Sequence, residues 1–328
     1  KNGYIHKVDG VMTASENMAS IIRNHSNMSG WSKLIDRYSA PYYDDAITKE
    51  YDRLYNSTDS VFIMKYFSAV ANTTSGDNKV DPDKQNVGAF LSFDPGWNQY
   101  MYKNTSGMTL NYDCGAMLVP TNAALDEWWN SGGKPLKDEY KSWDNVPDQV
   151  LSKLINVNMI PQFASTVPSK FSNIVNDAKV ELGVKPADVD SCFMGCNGVV
   201  YLTNKVFSPA AYASVSFPAL IHTETMNIIY WGIDQLGFDA YLNSMDSRYS
   251  FIIPTNTAMM RYIDPCSYGA TKTVMYQFFY DNDKKTVGAH RFQYDLATND
   301  TVPGAVKMTD ANTSLVKNRM NDLLNNLI

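Results

Sequence analysis

Two short segments of this chain each occur twice, in a fixed order, and that arrangement narrows the folds open to it. Met117-Leu-Val-Pro-Thr-Asn-Ala-Ala-Leu125 is answered by Phe251-Ile-Ile-Pro-Thr-Asn-Thr-Ala-Met259, and Asn2-Gly-Tyr-Ile-His-Lys-Val-Asp-Gly-Val-Met12 by Asn197-Gly-Val-Val-Tyr-Leu-Thr-Asn-Lys-Val-Phe207. Recurrence of this kind marks a tandem array, each copy being one structural unit. From Pro120 to Asn197 is 77 residues, and the same interval after Pro254 puts the next Asn-Gly strand near 331, past Ile328. The expected organisation is a closing strand of a preceding unit over 1–20, a complete unit over 21–212, and a second unit over 213–328 without its final strand.

Each repeated block has a local physical reading. Three apolar residues, Met117 to Val119 or Phe251 to Ile253, predict a short buried strand that Pro120 or Pro254 stops, because proline offers no ladder donor. Thr121 or Thr255, and Asn122 or Asn256, can then cap a helix beginning near Ala123 or Ala258. The other block, Asn2-Gly3 or Asn197-Gly198 followed by β-branched and aromatic residues, predicts a tight turn feeding a strand. Ahead of each Pro-Thr-Asn block, Trp31, Leu34, Ile35 and Tyr38, and Ile228, Ile229, Tyr230, Ile233 and Leu236, have the spacing of an amphipathic helix packed on a sheet.

Together the Pro-Thr-Asn strand and the Asn-Gly-Val-Val-Tyr-Leu-Thr-Asn-Lys-Val-Phe strand resemble the two signature segments of fasciclin domains, and the resemblance covers nearly the whole chain. It implies an α+β fold of tandem wedge-shaped β-sandwich modules flanked by helices, in a secreted or cell-surface protein. Many members carry a Tyr-His pair between the signatures, implicated in adhesion. Here Val157 and Asn158 stand at that place, so integrin-type recognition is not expected.

The two units differ in length. Asn2 to Pro120 spans 118 residues and Asn197 to Pro254 only 57, which places extra chain within roughly 44–110. That insertion holds the apolar run Val61 to Phe67, a polar stretch over 72–84, and the aromatic-rich piece 90–102. Insertions on a stable core often carry specificity, so Phe90, Phe93, Trp97, Tyr100 and Tyr102 are the candidate partner- or ligand-binding residues. The competing reading is that these rings pack the insertion onto its host. A smaller insertion follows Pro254, where aromatic runs 276–280 and 290–294 flank a polar turn and predict a hairpin. Its Asp/Asn cluster lacks the spacing of an EF-hand loop.

No reactive centre is legible. The four histidines fall outside any His-Glu-x-x-His, and there is no nucleophile elbow, phosphate-binding glycine loop or dinucleotide fingerprint. No cofactor or metal is expected. Cys192 and Cys196 are open to three readings: a disulfide, two thiols, or half a metal site. A net charge of −6 provides no basic stripe for phosphates, which argues against nucleic acid. Sequons at Asn56, Asn72 and Asn104, and Asp-Ser-Val and Asp-Thr-Val triplets ending at Val61 and Val302, match glycosylation sites of exposed loops.

No stretch is long and apolar enough to span a bilayer, so membrane association is expected only through an N-terminal anchor outside this chain. The functional expectation is a non-enzymatic cell-surface adhesion or interaction protein, an outer-membrane lipoprotein touching protein or glycan. The resemblance also allows an accessory role beside a SusC/SusD-type uptake complex. The alternative is direct glycan or small-ligand binding by the aromatic residues of the insertion.

Overall fold

The computed structural model describes Lys7, Gly10 and residues 15–66, 91–97, 115–163, 166–244, 246–303 and 308–328. Asn2 and Gly3 lie outside the described residues. The chain runs α1 (Met18–Asn24), α2 (Ser29–Asp36), β1 (Ser39–Tyr43), α3 (Asp45–Tyr55), β2 (Phe62–Tyr66), β3 (Gly115–Pro120), α4 (Asn122–Asn130), α5 (Lys134–Tyr140), α6 (Asp148–Val157), β4 (Met159–Ile160), β5 (Val189–Gly195) and β6 (Gly198–Thr203). It continues through α7 (Phe217–Ile221), α8 (Thr223–Gln235), α9 (Asp239–Leu242), α10 (Asn256–Met259), β7 (Tyr262–Ile263), β8 (Thr273–Asp281), β9 (Thr286–Asp295), β10 (Asp300–Thr301) and α11 (Thr313–Leu327). This is mixed α+β structure.

The first core forms around a sheet ordered β4-β3-β6-β5, in which β3 and β6 run parallel from Gly115 opposite Gly198 to Pro120 opposite Thr203. Every residue of both strands is buried, which is why each is a near-continuous apolar run rather than an alternating one. Alternation decides instead which face each residue serves. Met117, Val119, Val200 and Leu202 meet Trp31, Ile35 and Leu154 of the helices, while Ala116, Leu118, Val199 and Tyr201 meet Phe171, Ile174 and Val184.

A second core lies under the sheet β10-β9-β8-β7. Val274, Tyr276, Phe278, Val287 and Ala289 pack on Ile228, Ile229 and Ile233 of α8 and on Val316, Met320 and Leu324 of α11. The predicted hairpin is present as β8 and β9, paired from Thr273 opposite Tyr294 to Asp281 opposite Thr286. Its aromatic runs supply the core of this half of the molecule, so the segment is more than the surface insertion expected.

The Pro-Thr-Asn blocks match at four points. Thr121 Oγ1 accepts from Ala124 N–H at 3.1 Å and Thr255 Oγ1 from Ala258 N–H at 3.4 Å, so both threonines are N-caps. Asn122 and Asn256 are not caps. Each is the first residue of its helix and reaches back to an earlier one: Asn122 accepts from Gly30 N–H and donates to Ser26 O and Ser29 Oγ, while Asn256 accepts from Ile228 N–H and donates to Glu224 O and Asn227 Oδ1. The fourth point is a strand N–H bonded to the end of a later helix: Leu118 N–H donates to Asn158 O and Ile252 N–H to Leu327 O, both at 2.9 Å.

One expected strand is missing. Phe251 to Ile253 join no ladder. β3 owes its strand character to β6 beside it, and nothing among the described residues plays that part for 251–253.

Because Asn122 ties α2 to α4 with three hydrogen bonds, Asn122→Ala is expected to cost about 2 kcal/mol. Urea denaturation checks it, with Thr121→Ala as the milder comparison at about 1 kcal/mol.

Candidate interaction surface

Of the five aromatic candidates, Phe90, Tyr100 and Tyr102 lie outside the described residues. Phe93 is 8% exposed and packs in the first core, its ring so close to Gly115 that a Cβ there would meet it at 2.7 Å. Trp97 is half-buried, with the Arg23 guanidinium 3.9 Å from its ring centroid and Tyr66 at 5.2 Å. Phe93 therefore offers no ring face to a partner, and one flank of Trp97 is already taken. Both are held by packing, the competing reading of these residues.

Their segment is fastened through its backbone. Pro95 O accepts from Ala19 N–H and from Asn197 Nδ2, and Trp97 O accepts from Asn17 Nδ2. Ser92 N–H donates to Asn156 Oδ1. Asn197 of the turn before β6 thus binds residue 95, and it also accepts from Met18 N–H at 2.9 Å. Four elements, α1, β3, β6 and α6, hold residues 92–97.

Asp94 sits within this fastening. Burial raises its carboxyl to about 6, against the opposing pull of the Gly96 N–H and the Lys65 charge. A folded-state value above the unfolded one makes stability complete below about pH 4 and lost as pH rises through about 6. The difference corresponds to about 3 kcal/mol. Asp94→Asn keeps an acceptor for Gly96 and is expected to match the parent at pH 4 but exceed it by about 3 kcal/mol at pH 7.5 in urea titrations.

The exposed apolar surface of residues 44–66 lies on α3. Asp44 caps this helix by accepting from Ile47 N–H at 2.9 Å, and Asn56 ends it in the left-handed region at φ 51°. Ile47, Tyr51, Leu54 and Tyr55 form a single helical stripe, and all four are exposed, Leu54 at 58% and Tyr55 at 68%. Tyr51 and Tyr55 stack against one another with centroids 4.8 Å apart. The strands flanking α3 in the chain, β1 and β2, pair antiparallel and expose Phe62 at 45%, with Tyr43 edge-on at 5.9 Å. The other side of α3 carries the solvated pairs Asp45 with Lys49 and Glu50 with Arg53. A stripe of this kind normally faces a core.

Reading the sequence missed α3, although its signal was present: an Asp cap, then apolar residues at i, i+4, i+7 and i+8. What the spacing cannot tell is whether the stripe faces inward. Asn158 is buried and donates to Leu154 O and Phe207 O, so it is part of the core.

Cys192 lies on β5 and Cys196 just past its end, four residues of extended chain away. That is about 13 Å, well beyond the reach of a disulfide. Among the described residues no group of three or more His, Cys, Asp or Glu could hold a metal, and no helix is long and apolar enough to cross a membrane. His222 is the residue before α8, its Nδ1 3.1 Å from Glu139 Oε1. His290 Nδ1 lies 3.0 Å from Asp310 Oδ1 and its ring stacks on Phe279. No family model, curated protein or solved structure matches this chain.

Proposed function

We propose that this chain is a non-enzymatic cell-surface interaction protein of tandem fasciclin-type modules, which contacts a protein partner through α3 and the β1–β2 pair of its inserted segment. The four matched hydrogen-bond positions of the two Pro-Thr-Asn blocks support serial copies of one module. The exposed stripe Ile47, Tyr51, Leu54 and Tyr55 carries the functional reading. Contiguous apolar surface rimmed by charge is what a partner's groove covers, and anchors at i, i+4 and i+7 suit a helix laid into such a groove. The proposed setting is the outer face of an outer membrane, with an anchor outside this chain and a role beside an uptake complex.

The test is the double variant Leu54→Ser, Tyr55→Ser. Both side chains are exposed, so stability should change by no more than about 0.5 kcal/mol. A protein that copurifies from membranes with the tagged parent chain should be absent from the variant's eluate. Equal recovery by parent and variant would remove α3 from the contact and the reading with it.

A further inference from the structure

We infer that the backbone edge Phe251–Thr255 accepts a parallel strand from residues Asn2–Val8 of a second copy of this chain, in the way β3 accepts β6. The inference rests on the hydrogen-bond matches between the two Pro-Thr-Asn blocks and is independent of the α3 contact.

β3 is bonded along both sides. On one, Leu118 N–H meets Asn158 O; on the other, Gly115 N–H meets Asn197 O and Thr121 N–H meets Thr203 O, at either end of the ladder with β6. The segment 251–255 has the first side only, through Ile252 N–H and Leu327 O. The N–H groups of Phe251, Ile253 and Thr255, which correspond to those of Met117, Val119 and Thr121, make no hydrogen bond among the described residues. Ile252 is 68% exposed where Leu118 is fully buried. The segment is thus already held straight and aimed by its cap, its asparagine and α11, with one row of donors open. Such a row is a template for strand addition.

The structure also indicates which sequence fits. Gly198 opens β6 at φ +146°, and a Cβ there would stand 2.2 Å from Gly115 O, so a strand entering this way must begin with glycine. Asn197 supplies the turn before it. Asn-Gly occurs only twice in the chain: one copy is β6, and the other opens Asn2-Gly3-Tyr4-Ile5-His6-Lys7-Val8. Donated in trans, that segment makes a head-to-tail contact in which each copy gives one strand and receives one, so assemblies grow by addition of whole chains.

The experiment is sedimentation of the full 328-residue chain over a concentration series, with and without excess synthetic peptide of residues 2–12. Mass is expected to rise with concentration in steps of one chain. The peptide should cap the open edges and return the mass to that of a single chain. A His6→Pro peptide, which lacks the ladder donor answering the Tyr201 N–H of β6, should need roughly tenfold more to do so. Hydrogen exchange at Ile253 and Thr255 should slow as assemblies form. A mass independent of concentration overturns the inference, whether those amides exchange freely or are protected by a strand from the same chain. Equal potency of the two peptides overturns it as well, since association would then not run through a ladder.

Discussion

Gly198→Ala is expected to destabilise the first core by about 4 kcal/mol, the sum of two separate penalties. The first is conformational, because φ +146° is a backbone state that residues with a Cβ rarely adopt. The second is steric, and nothing soft can absorb it: the added carbon would stand 2.2 Å from the Gly115 carbonyl oxygen and 2.9 Å from the Met18 side chain. The obstructing atom belongs to the backbone of β3, which Leu118 N–H and the ladder fix from both sides. Relief would require opening the parallel pair at its first residues and releasing Asn197, which ties α1 and residue 95 to the same turn. Gly115→Ala makes the discriminating comparison. Its Cβ would meet only the far edge of the Phe93 ring at 2.7 Å, and that ring lies at the margin of the core, so the expected cost is about 1–2 kcal/mol. Urea midpoints for the two variants should separate accordingly. Equal midpoints would mean that the β3–β6 junction yields more readily than its packing implies.

That contrast illustrates what the sequence could reveal. An all-apolar strand stopped by proline at 115–120, threonine caps at Thr121 and Thr255, the helix stripe Trp31, Leu34 and Ile35, and the turn at Asn197-Gly198 are local rules, and at these places they are obeyed. The hairpin β8–β9 followed from two aromatic runs flanking a polar turn. Asn122 is different. Its spacing suggested a cap, but its amide is spent on Ser26, Ser29 and Gly30, more than ninety positions earlier, and no local pattern encodes such a contact. The same holds for Phe93 and Trp97, whose aromatic character suits a binding platform or a packing wedge equally well. What the rings pack against, Gly115 for Phe93 and Arg23 for Trp97, appears only in the structure. Phe251 to Ile253 were legible as apolar but not as unladdered, because strand character depends on a neighbour. The stripe of α3 was legible as amphipathic, and what tertiary structure added is that it faces outward. α11 went unrecognised because Val316, Met320 and Leu324 are spaced among asparagine, aspartate and arginine residues that dilute the signal. One of those polar residues is nonetheless placed inside.

Arg319→Ala is expected to cost the second core about 4 kcal/mol, because it strands a buried charge. Arg319 Nε lies 3.0 Å from Asp264 Oδ2, and the Asp264 side chain is only 5% exposed. Asp264 Oδ1 accepts from Cys266 N–H, and Asp264 O accepts from Ser267 N–H and Oγ, so the carboxylate is fixed in a short turn between β7 and β8 and cannot swing out to water. The pair pins α11 to that turn, and α11 in turn crosses α8 at Gly232, where a Cβ would collide with Met320 at 2.4 Å. Replacing both partners, Asp264→Ala with Arg319→Met, should recover most of the loss, since an apolar pair carries no desolvation penalty. The location of the damage matters as much as its size. Polar contacts between the two cores include Glu139 with His222 and Lys153 with Asp234 at 3.9 Å. The two ion pairs are partly exposed and worth at most about 1 kcal/mol each. Amides of β8 and β9 should therefore lose hydrogen-exchange protection in Arg319→Ala while those of β3 and β6 keep theirs. Equal loss in both sheets would show one cooperative unit, with Tyr230, which packs against both cores, joining them more strongly than these polar contacts suggest.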